Sequence, residues 1–326
     1  MTVADEWPIA AAALSLGNAD PGSEGEGNHV DRWQTDLLSV ADEGFSLLDL
    51  TDSWVSVGSL SDEYVRDLRM CADEAGLAIA SVSAIRRSVI DADHADDNVA
   101  YAHRAIDAAA MLGASVVSFG LHQELTPEQR ERLWFWTAPG HHDDPHDPDA
   151  WRAAVRAFRE LGQHAAEVGL LLSLEMYEDT FLGSAASSIR LVEDIDLDTV
   201  GVNPDTGNLI RRTGPVDSWS DTLRAVLPYT NFWHVKNYAR YEDTTTGTYF
   251  ALPSYLESGL INYREAMAWA IDAGFRGVIS VEHYGGDGLS VSAANRDYLR
   301  ARGIPRRPPS FGVSRVRQAP AWGGLT

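Results

Sequence analysis

Four apolar runs of this chain end in side chains that could hold a cation or move a proton. They read Ser173-Leu174-Glu175-Met176-Tyr177-Glu178, Val202-Asn203-Pro204-Asp205-Thr206-Gly207-Asn208, Phe232-Trp233-His234-Val235-Lys236-Asn237 and Val281-Glu282-His283-Tyr284-Gly285-Gly286-Asp287. Singly, each admits an ordinary reading: a buried glutamate bridging to an arginine, or a histidine satisfied in a core. Together, three carboxylates and an imidazole at successive run ends would repel one another strongly without a cation among them. An oxygen-rich set with one nitrogen suits Mn²⁺, Mg²⁺ or Co²⁺, and Zn²⁺ is compatible.

Lys236 sharpens this reading. It is the only lysine among 26 basic side chains, so arginine serves wherever a positive surface charge is enough. Lys236 follows His234 by two residues and shares its face of an extended strand. An ammonium there could donate to a developing oxyanion or pass a proton, which guanidinium does poorly.

The elements that must position these groups alternate along the chain. Short apolar runs fall at about 8–16, 45–51, 78–84, 114–120, 170–176, 199–204, 231–236 and 277–283. Amphipathic helical windows lie between and after them, at about 30–43, 61–75, 93–112, 148–168, 185–195, 215–228, 262–273 and 289–302. Runs apolar throughout, such as Val278-Ile279-Ser280-Val281, suit parallel strands covered on both faces. Eight strand–helix units predict an α/β fold of the (β/α)8 TIM barrel type, whose strand C-termini converge on one site. A doubly wound open sheet would favour G-x-G-x-x-G after the first strand, which Leu16-Gly17-Asn18-Ala19-Asp20-Pro21-Gly22 does not match.

The expected organisation is one barrel over residues 1–303, a lid-like insertion at about 121–147, and a Pro/Arg-rich tail at 304–326. The loop at 18–29 is glycine-rich and acidic, and both it and the insertion project from the catalytic face of a barrel. The tail is expected to dock on a neighbouring subunit, given so acidic a body.

Composition bounds the function. The chain has 326 residues, 44% hydrophobic, with a formal net charge of −22. That apolar fraction builds a real core, while the charge opposes encounters with phosphate backbones and anionic membranes. The single cysteine, Cys71, excludes an internal disulfide and a thiolate zinc site, and reads as a small core residue. An acidic N-terminus without an apolar h-region, and no run of ~18 apolar residues, lead to a cytoplasmic expectation.

Further residues lie at or just beyond run ends. His29, His122 and His283 are candidates for substrate hydroxyl contacts. Trp33, Trp54, Trp134 and Trp136 add flat apolar surface near predicted strand ends. Arg86 is placed to meet a carboxylate or phosphate, or to pair with an acid. The run His141-His142-Asp143-Asp144-Pro145-His146 reads as a solvated loop rather than a second metal site.

The succession Leu174-Glu175, Asp205-Thr206-Gly207-Asn208, His234-Val235-Lys236 and Val281-Glu282-His283 resembles the sugar phosphate isomerase/epimerase superfamily with the xylose isomerase-like barrel, over about residues 8–302. The resemblance implies one divalent metal, Mn²⁺ foremost, held by Glu175, Asp205, His234 and Glu282. It also implies that the two glutamates act as acid and base on opposite faces of a sugar, as in the ketose 3-epimerases. Taking a proton next to a carbonyl creates an enediolate, which a cation on that oxygen stabilises. Glu175 or Glu282 is then the base, Lys236 carries charge on the oxygen, and Glu178 or His283 orients hydroxyls.

One departure is Asn208, where the ketose epimerases resembled have a histidine a few residues past the sixth-strand aspartate. The aromatic insertion also exceeds a minimal epimerase lid. Both leave room for a second chemistry of the superfamily, that of the large subunits of bacterial C-glycoside deglycosidases. These eliminate an aromatic aglycone from a 3-oxo-glucoside and work with a small second subunit. The expected partner is thus a small-molecule sugar or glycoside, in a homo-oligomer or a hetero-oligomer with a small subunit. The endonuclease branch of the fold fits poorly, because it uses several more histidines and a basic face. A non-catalytic carbohydrate-binding barrel is the other class, one in which metal removal leaves ligand affinity untouched.

Overall fold

The computed structural model describes residues 2–22, 28–243, 245–308 and 310–319; part of the 18–29 loop and the last part of the tail lie outside them. Eight parallel strands form the barrel wall: Ile9–Ala12 (β1), Leu47–Thr51 (β2), Ala78–Ala84 (β3), Val116–Phe119 (β4), Leu171–Glu175 (β5), Val200–Asn203 (β6), Trp233–Val235 (β7) and, after an excursion, Ile279–Val281 (β10). Their order is β6-β5-β4-β3-β2-β1-β10-β7. The barrel is nearly closed: only the parallel bridge Val202–Thr230 joins β6 to the approach to β7. Side chains help the seam, since Asn203 Oδ1 accepts the His234 backbone N–H at 2.7 Å and Asn231 Nδ2 donates to Leu172 O at 3.0 Å. The (β/α)8 barrel expectation therefore holds, with all eight strands inside the runs foreseen.

Strand alternation sorts the side chains. Outward residues such as Leu48, Val117, Leu172, Val202, Val235 and Ile279 join the large core beneath the helices. Inward residues stack in layers: Ala10, Leu47, Ala80, Val116, Leu171, Phe232 and Val278 make an apolar floor. Above it lie the buried polar groups Asp49, Ser81, Ser83, Ser118, Ser173, His234 and Ser280. The site groups top the stack.

The helices follow their sequence signals. In Pro148–Glu167, Asp147 Oδ1 accepts from Asp149 and Ala150 N–H at 2.9 and 3.0 Å, with Pro148 at the first turn. Trp151, Ala154, Phe158, Leu161 and Ala165 form its buried stripe, while Val155 is only half-buried. Gly113, at φ 79°, ends helix Ala95–Leu112 in the left-handed conformation that glycine adopts without strain. No helix among the described residues is long and apolar enough to cross a membrane.

Two findings go beyond the expectation. An antiparallel hairpin, Asn237–Asp243 (β8) with Thr248–Ser254 (β9), rises after β7 where no element was foreseen. The tail, in its described part, packs on its own barrel. Gly312 N–H donates to Ile271 O, Arg315 N–H to Pro228 O and Arg317 N–H to Asp198 O, at 3.0, 2.8 and 2.7 Å. Ala319 then completes the apolar floor. The basic side chains serve this route: Arg317 pairs with Asp198 at 3.0 Å and Arg315 donates to the Tyr229 hydroxyl at 2.9 Å.

Candidate metal centre at the barrel mouth

Each site group enters from the C-terminal end of a strand. Glu175 closes β5, Asp205 immediately precedes the short helix Thr206–Ile210 after β6, His234 sits within β7, Lys236 follows it, and Glu282 follows β10. All are at most 5% exposed. One ligand atom from each of Glu175, Asp205 and His234 lies within 4.8 Å of the others. Glu282 adjoins them, with Oε2 3.5 Å from His234 Nδ1.

Orientation of the imidazole comes from Asp49, which sequence reasoning passed over. Its Oδ2 takes His234 Nε2–H at 2.8 Å and the Ser280 hydroxyl at 3.0 Å. Its Oδ1 takes the hydroxyls of Ser81 and Ser83 at 2.7 and 2.8 Å. An ionised carboxylate only accepts, so Nε2 must carry the proton and Nδ1 is turned toward the cluster. There it faces Glu175 Oε2 at 3.2 Å. Asp49→Asn is expected to weaken divalent binding about 10–100-fold with the barrel intact, because the amide no longer fixes this tautomer. Mn²⁺ titration of chelator-treated protein measures it, and an unchanged affinity would remove Asp49 from the role.

The electrostatics call for a cation. Asp49, Glu175, Asp205 and Glu282 are four buried carboxylates, faced by one lysine and one ring that can be protonated. Lys236 Nζ lies 2.7 Å from Asp205 Oδ2 and 2.9 Å from Glu282 Oε1. Burial opposes its charge, but these two carboxylates hold its pKa well above the ordinary lysine value. His234 is likewise held well above its usual range, against burial, by Glu175 and Asp49. Burial pushes His122 below the usual histidine range. With both cations counted, the carboxylates still outnumber their counter-charges, burial pushes Asp205 up to about 7, and among the described residues Asp205 Oδ1 and His234 Nδ1 lack a hydrogen-bond partner. The donor set therefore fits one divalent ion.

Neighbours lock this arrangement. Asn208 Nδ2 donates to Glu175 Oε1 and Met176 O, both at 3.0 Å. The Tyr263 hydroxyl donates to Lys236 O at 2.7 Å and takes its N–H at 3.1 Å. A Cβ on Gly207 would lie 2.5 Å from Lys236 Cγ, so only glycine lets that helix come so close. His122 is fully buried with Nε2 3.5 Å from Glu175 Oε1, and its ring lies on Tyr177 at 3.7 Å between centroids.

Aromatic side chains from the 121–147 insertion roof the mouth. Trp136 donates Nε1–H to Ala251 O on β9 at 3.2 Å, and its ring meets Tyr238 and Tyr284 at 5.3 and 5.5 Å. Beneath the roof, the fully buried Arg211 holds Glu178 through two bonds of 3.0 and 3.3 Å. Its guanidinium faces Phe135, Trp136, Tyr177 and Tyr284 at 4.8 to 5.7 Å. Glu178 is therefore committed to a guanidinium rather than presented to a ligand.

Arg86 donates to Gln123 O at 3.1 Å and to the Tyr177 hydroxyl at 3.3 Å, and lines a side cavity with His141, Tyr177, Glu178 and Arg212. His283 is partly buried beside Glu282. The expected solvated loop is anchored, since Asp143 accepts the Phe181 N–H at 2.9 Å and donates its own to Asp179 O.

Three predicted contacts are not brought to the mouth. Trp54 is fully buried and donates Nε1–H to Asp36 at 2.8 Å, so it offers no stacking face; Trp33 is equally buried. His29 opens helix His29–Asp42 and packs on Trp33 and Tyr64 toward Asp67, in the helix layer. The groups missed are Asp49, Arg211, Tyr238, Tyr263 and Tyr284.

A parallel eight-stranded barrel with a carboxylate–histidine cluster at its C-terminal mouth defines the class. The chain belongs to the xylose isomerase-like TIM barrel family, whose match spans residues 38–302. It is 42% identical to a xylose isomerase-like TIM barrel protein from Mycobacterium smegmatis solved in complex with magnesium, covering 92% of this chain and 98% of that one at a TM-score of 0.85. More distant structures share the fold. A D-psicose 3-epimerase from Clostridium cellulolyticum H10, solved with D-tagatose, is 16% identical over 91% and 100% of the two chains, with a TM-score of 0.64. A 3-keto-D-glucoside 4-epimerase from E. coli is 13% identical over 90% and 99%, with a TM-score of 0.62. No curated protein matched the chain.

Proposed function

We propose that this protein is a divalent-metal-dependent enzyme that removes a proton from carbon next to a carbonyl of a sugar or oxo-glycoside, leading to keto-sugar isomerisation or epimerisation. The observation that carries the reading is the uncompensated charge of the cluster formed by Glu175, Asp205, His234 and Glu282 around Lys236. Sugar epimerases among the fold's neighbours support the general kind.

Glu175, Asp205, His234 and Glu282 would hold the metal, with Mn²⁺ the first choice and Mg²⁺, Co²⁺ or Zn²⁺ compatible. A divalent cation held there would supply polarisation of a substrate carbonyl. Glu282 or Glu175 takes the proton from the adjacent carbon. Lys236 Nζ, 2.9 Å from Glu282, donates to the oxygen on which charge develops. His122 and His283 contact hydroxyls, and the aromatic roof excludes water from the reacting carbon. Asn208 holds Glu175 in place through its side-chain amide.

Elimination of an aglycone from a 3-oxo-glycoside is the second reading. The aromatic roof of Phe135, Trp136 and Tyr284 favours it, and a 3-keto-glucoside epimerase shares the fold. A small second subunit belongs to that reading. Incubation with Mn²⁺ in D₂O, with free ketoses and 3-oxo-glycosides in parallel, tests both. Deuterium entering a ketose is the expected result, and released aromatic aglycone would select elimination. Neither, with metal bound, would leave a carbohydrate-binding barrel.

Arg86 forms no direct ion pair among the described residues, and we read it as the contact for an anionic substituent. Arg86→Met is expected to raise KM roughly 10- to 100-fold for a substrate bearing a carboxylate or phosphate, and to leave a neutral ketose unaffected. An equal change for both would reject the contact.

A further inference from the structure

The outer wall of the barrel carries a second group of metal-ligating side chains, where helices Ala95–Leu112 and Pro148–Glu167 pack together. His103 and Asp107 stand one turn apart on the first helix, Glu160 and His164 one turn apart on the second. Each histidine reaches across to the other helix. His103 Nε2 meets Glu160 Oε1 at 3.1 Å, and His164 Nε2 meets Asp107 Oδ1 at 3.0 Å. Ionised carboxylates only accept, so both Nε2 atoms carry protons and both Nδ1 atoms are turned inward. The two Nδ1 atoms lie 2.8 Å apart.

Two imidazole lone pairs cannot face each other at that distance unencumbered. Something positive must sit between them, either one shared proton or a cation. The surrounding pattern, with each histidine oriented by a carboxylate on its far nitrogen, is the one that fixes histidines as metal ligands. With metal–nitrogen bonds of about 2.0–2.1 Å, two ligands at a right angle are about 2.9 Å apart, whereas tetrahedral ligands need about 3.3 Å. The observed separation matches the right angle, which Cu²⁺ and Ni²⁺ prefer in nitrogen and oxygen surroundings.

The geometry points to a surface site at His103 and His164 for a tetragonal first-row divalent cation of the Cu²⁺/Ni²⁺ class. The cation joins the two helices and sends the shared proton to solvent. Both histidines are accessible, at 30% and 22% exposure, so water fills the remaining positions. This site is separate from the carboxylate-rich cluster on the barrel axis and does not depend on the activity proposed for it.

The test uses full-length, chelator-treated protein, first saturated with Mg²⁺ at the barrel mouth, then titrated with Cu²⁺ and followed by electron paramagnetic resonance. The wild-type chain is expected to bind one more equivalent than either His103→Gln or His164→Gln, with a tetragonal spectrum split by two nitrogens. Cu²⁺ should also raise Tm in the wild type by more than in either variant, because only there does it clamp two helices. Copper taken up by the histidines at 141–146 is common to all three proteins and cancels. Equal stoichiometry and spectra would overturn the site, as would loss in only one variant, which would mean a single histidine binding alone.

Discussion

Glu282→Gln is expected to leave the barrel folded while lowering turnover about 10²–10⁴-fold and weakening Mn²⁺ binding at least about tenfold. Both effects stem from one carboxylate. Glu282 Oε2 is 3.5 Å from His234 Nδ1, on the side where the ion fits, and Oε1 is 2.9 Å from Lys236 Nζ. Glutamine keeps the volume and one acceptor but loses the charge, the second acceptor and the basicity that proton abstraction needs. The fold should survive, since removing one of several crowded carboxylates relieves repulsion in the metal-free protein. Elemental analysis, deuterium exchange into substrate and a thermal melt read the three quantities separately. Full activity with unchanged metal content would reject the assignment of Glu282.

Much of the barrel could be read from the chain because its signal is local. Each strand is an apolar run followed by a polar turn, and the groups at run ends converge once the runs are parallel. Glu175, Asp205, His234 and Glu282 were found this way, and the structure brings them together. The same logic over-reached at His29 and Trp54. Standing near a strand end fixes height on the barrel but not direction, and both side chains turn outward into the helix layer.

What the chain concealed was mostly relational. Asp49 sits in Leu47-Leu48-Asp49-Leu50-Thr51, an ion in mid-strand, and Ser81, Ser83 and Ser280 occupy the same inward layer. That alternation was legible as a buried polar layer, but its partner, His234, lies 185 residues away. The hairpin β8–β9 hid because most of its residues are exposed or half-buried, with Tyr238 and Ala251 among the few fully inside. Composition marked the basic tail as a mate for an acidic surface, and its described part meets one. The surface is its own: Asp198, Pro228 and the barrel floor. Sequence could not distinguish an internal acid from a neighbour's.

Lys236→Met should separate charge balance from catalysis, because its effects run in opposite directions. In metal-free protein the ammonium is the nearest counter-charge of both Asp205 and Glu282, at 2.7 and 2.9 Å. Removing it strands two buried carboxylates, and stability measured in chelator is expected to fall by about 3–5 kcal/mol. Burial already pushes Asp205 up to about 7, so part of that cost is met by uptake of a proton there. Divalent affinity should rise several-fold, since a competitor for Asp205 Oδ2 and Glu282 Oε1 has gone along with its repulsion of the ion. Saturating Mn²⁺ would then recover much of the lost stability, about 2.7 kcal/mol at 100 times Kd. Turnover should still drop sharply, because nothing remains to donate to the developing oxygen charge. Denaturant melts with chelator and with Mn²⁺, beside Mn²⁺ titrations of both proteins, read these signs. Weaker metal binding in the variant would mean that Lys236 supports the ion site rather than competing with it. Unchanged stability in chelator would mean that its pairing with the two acids contributes nothing to the fold.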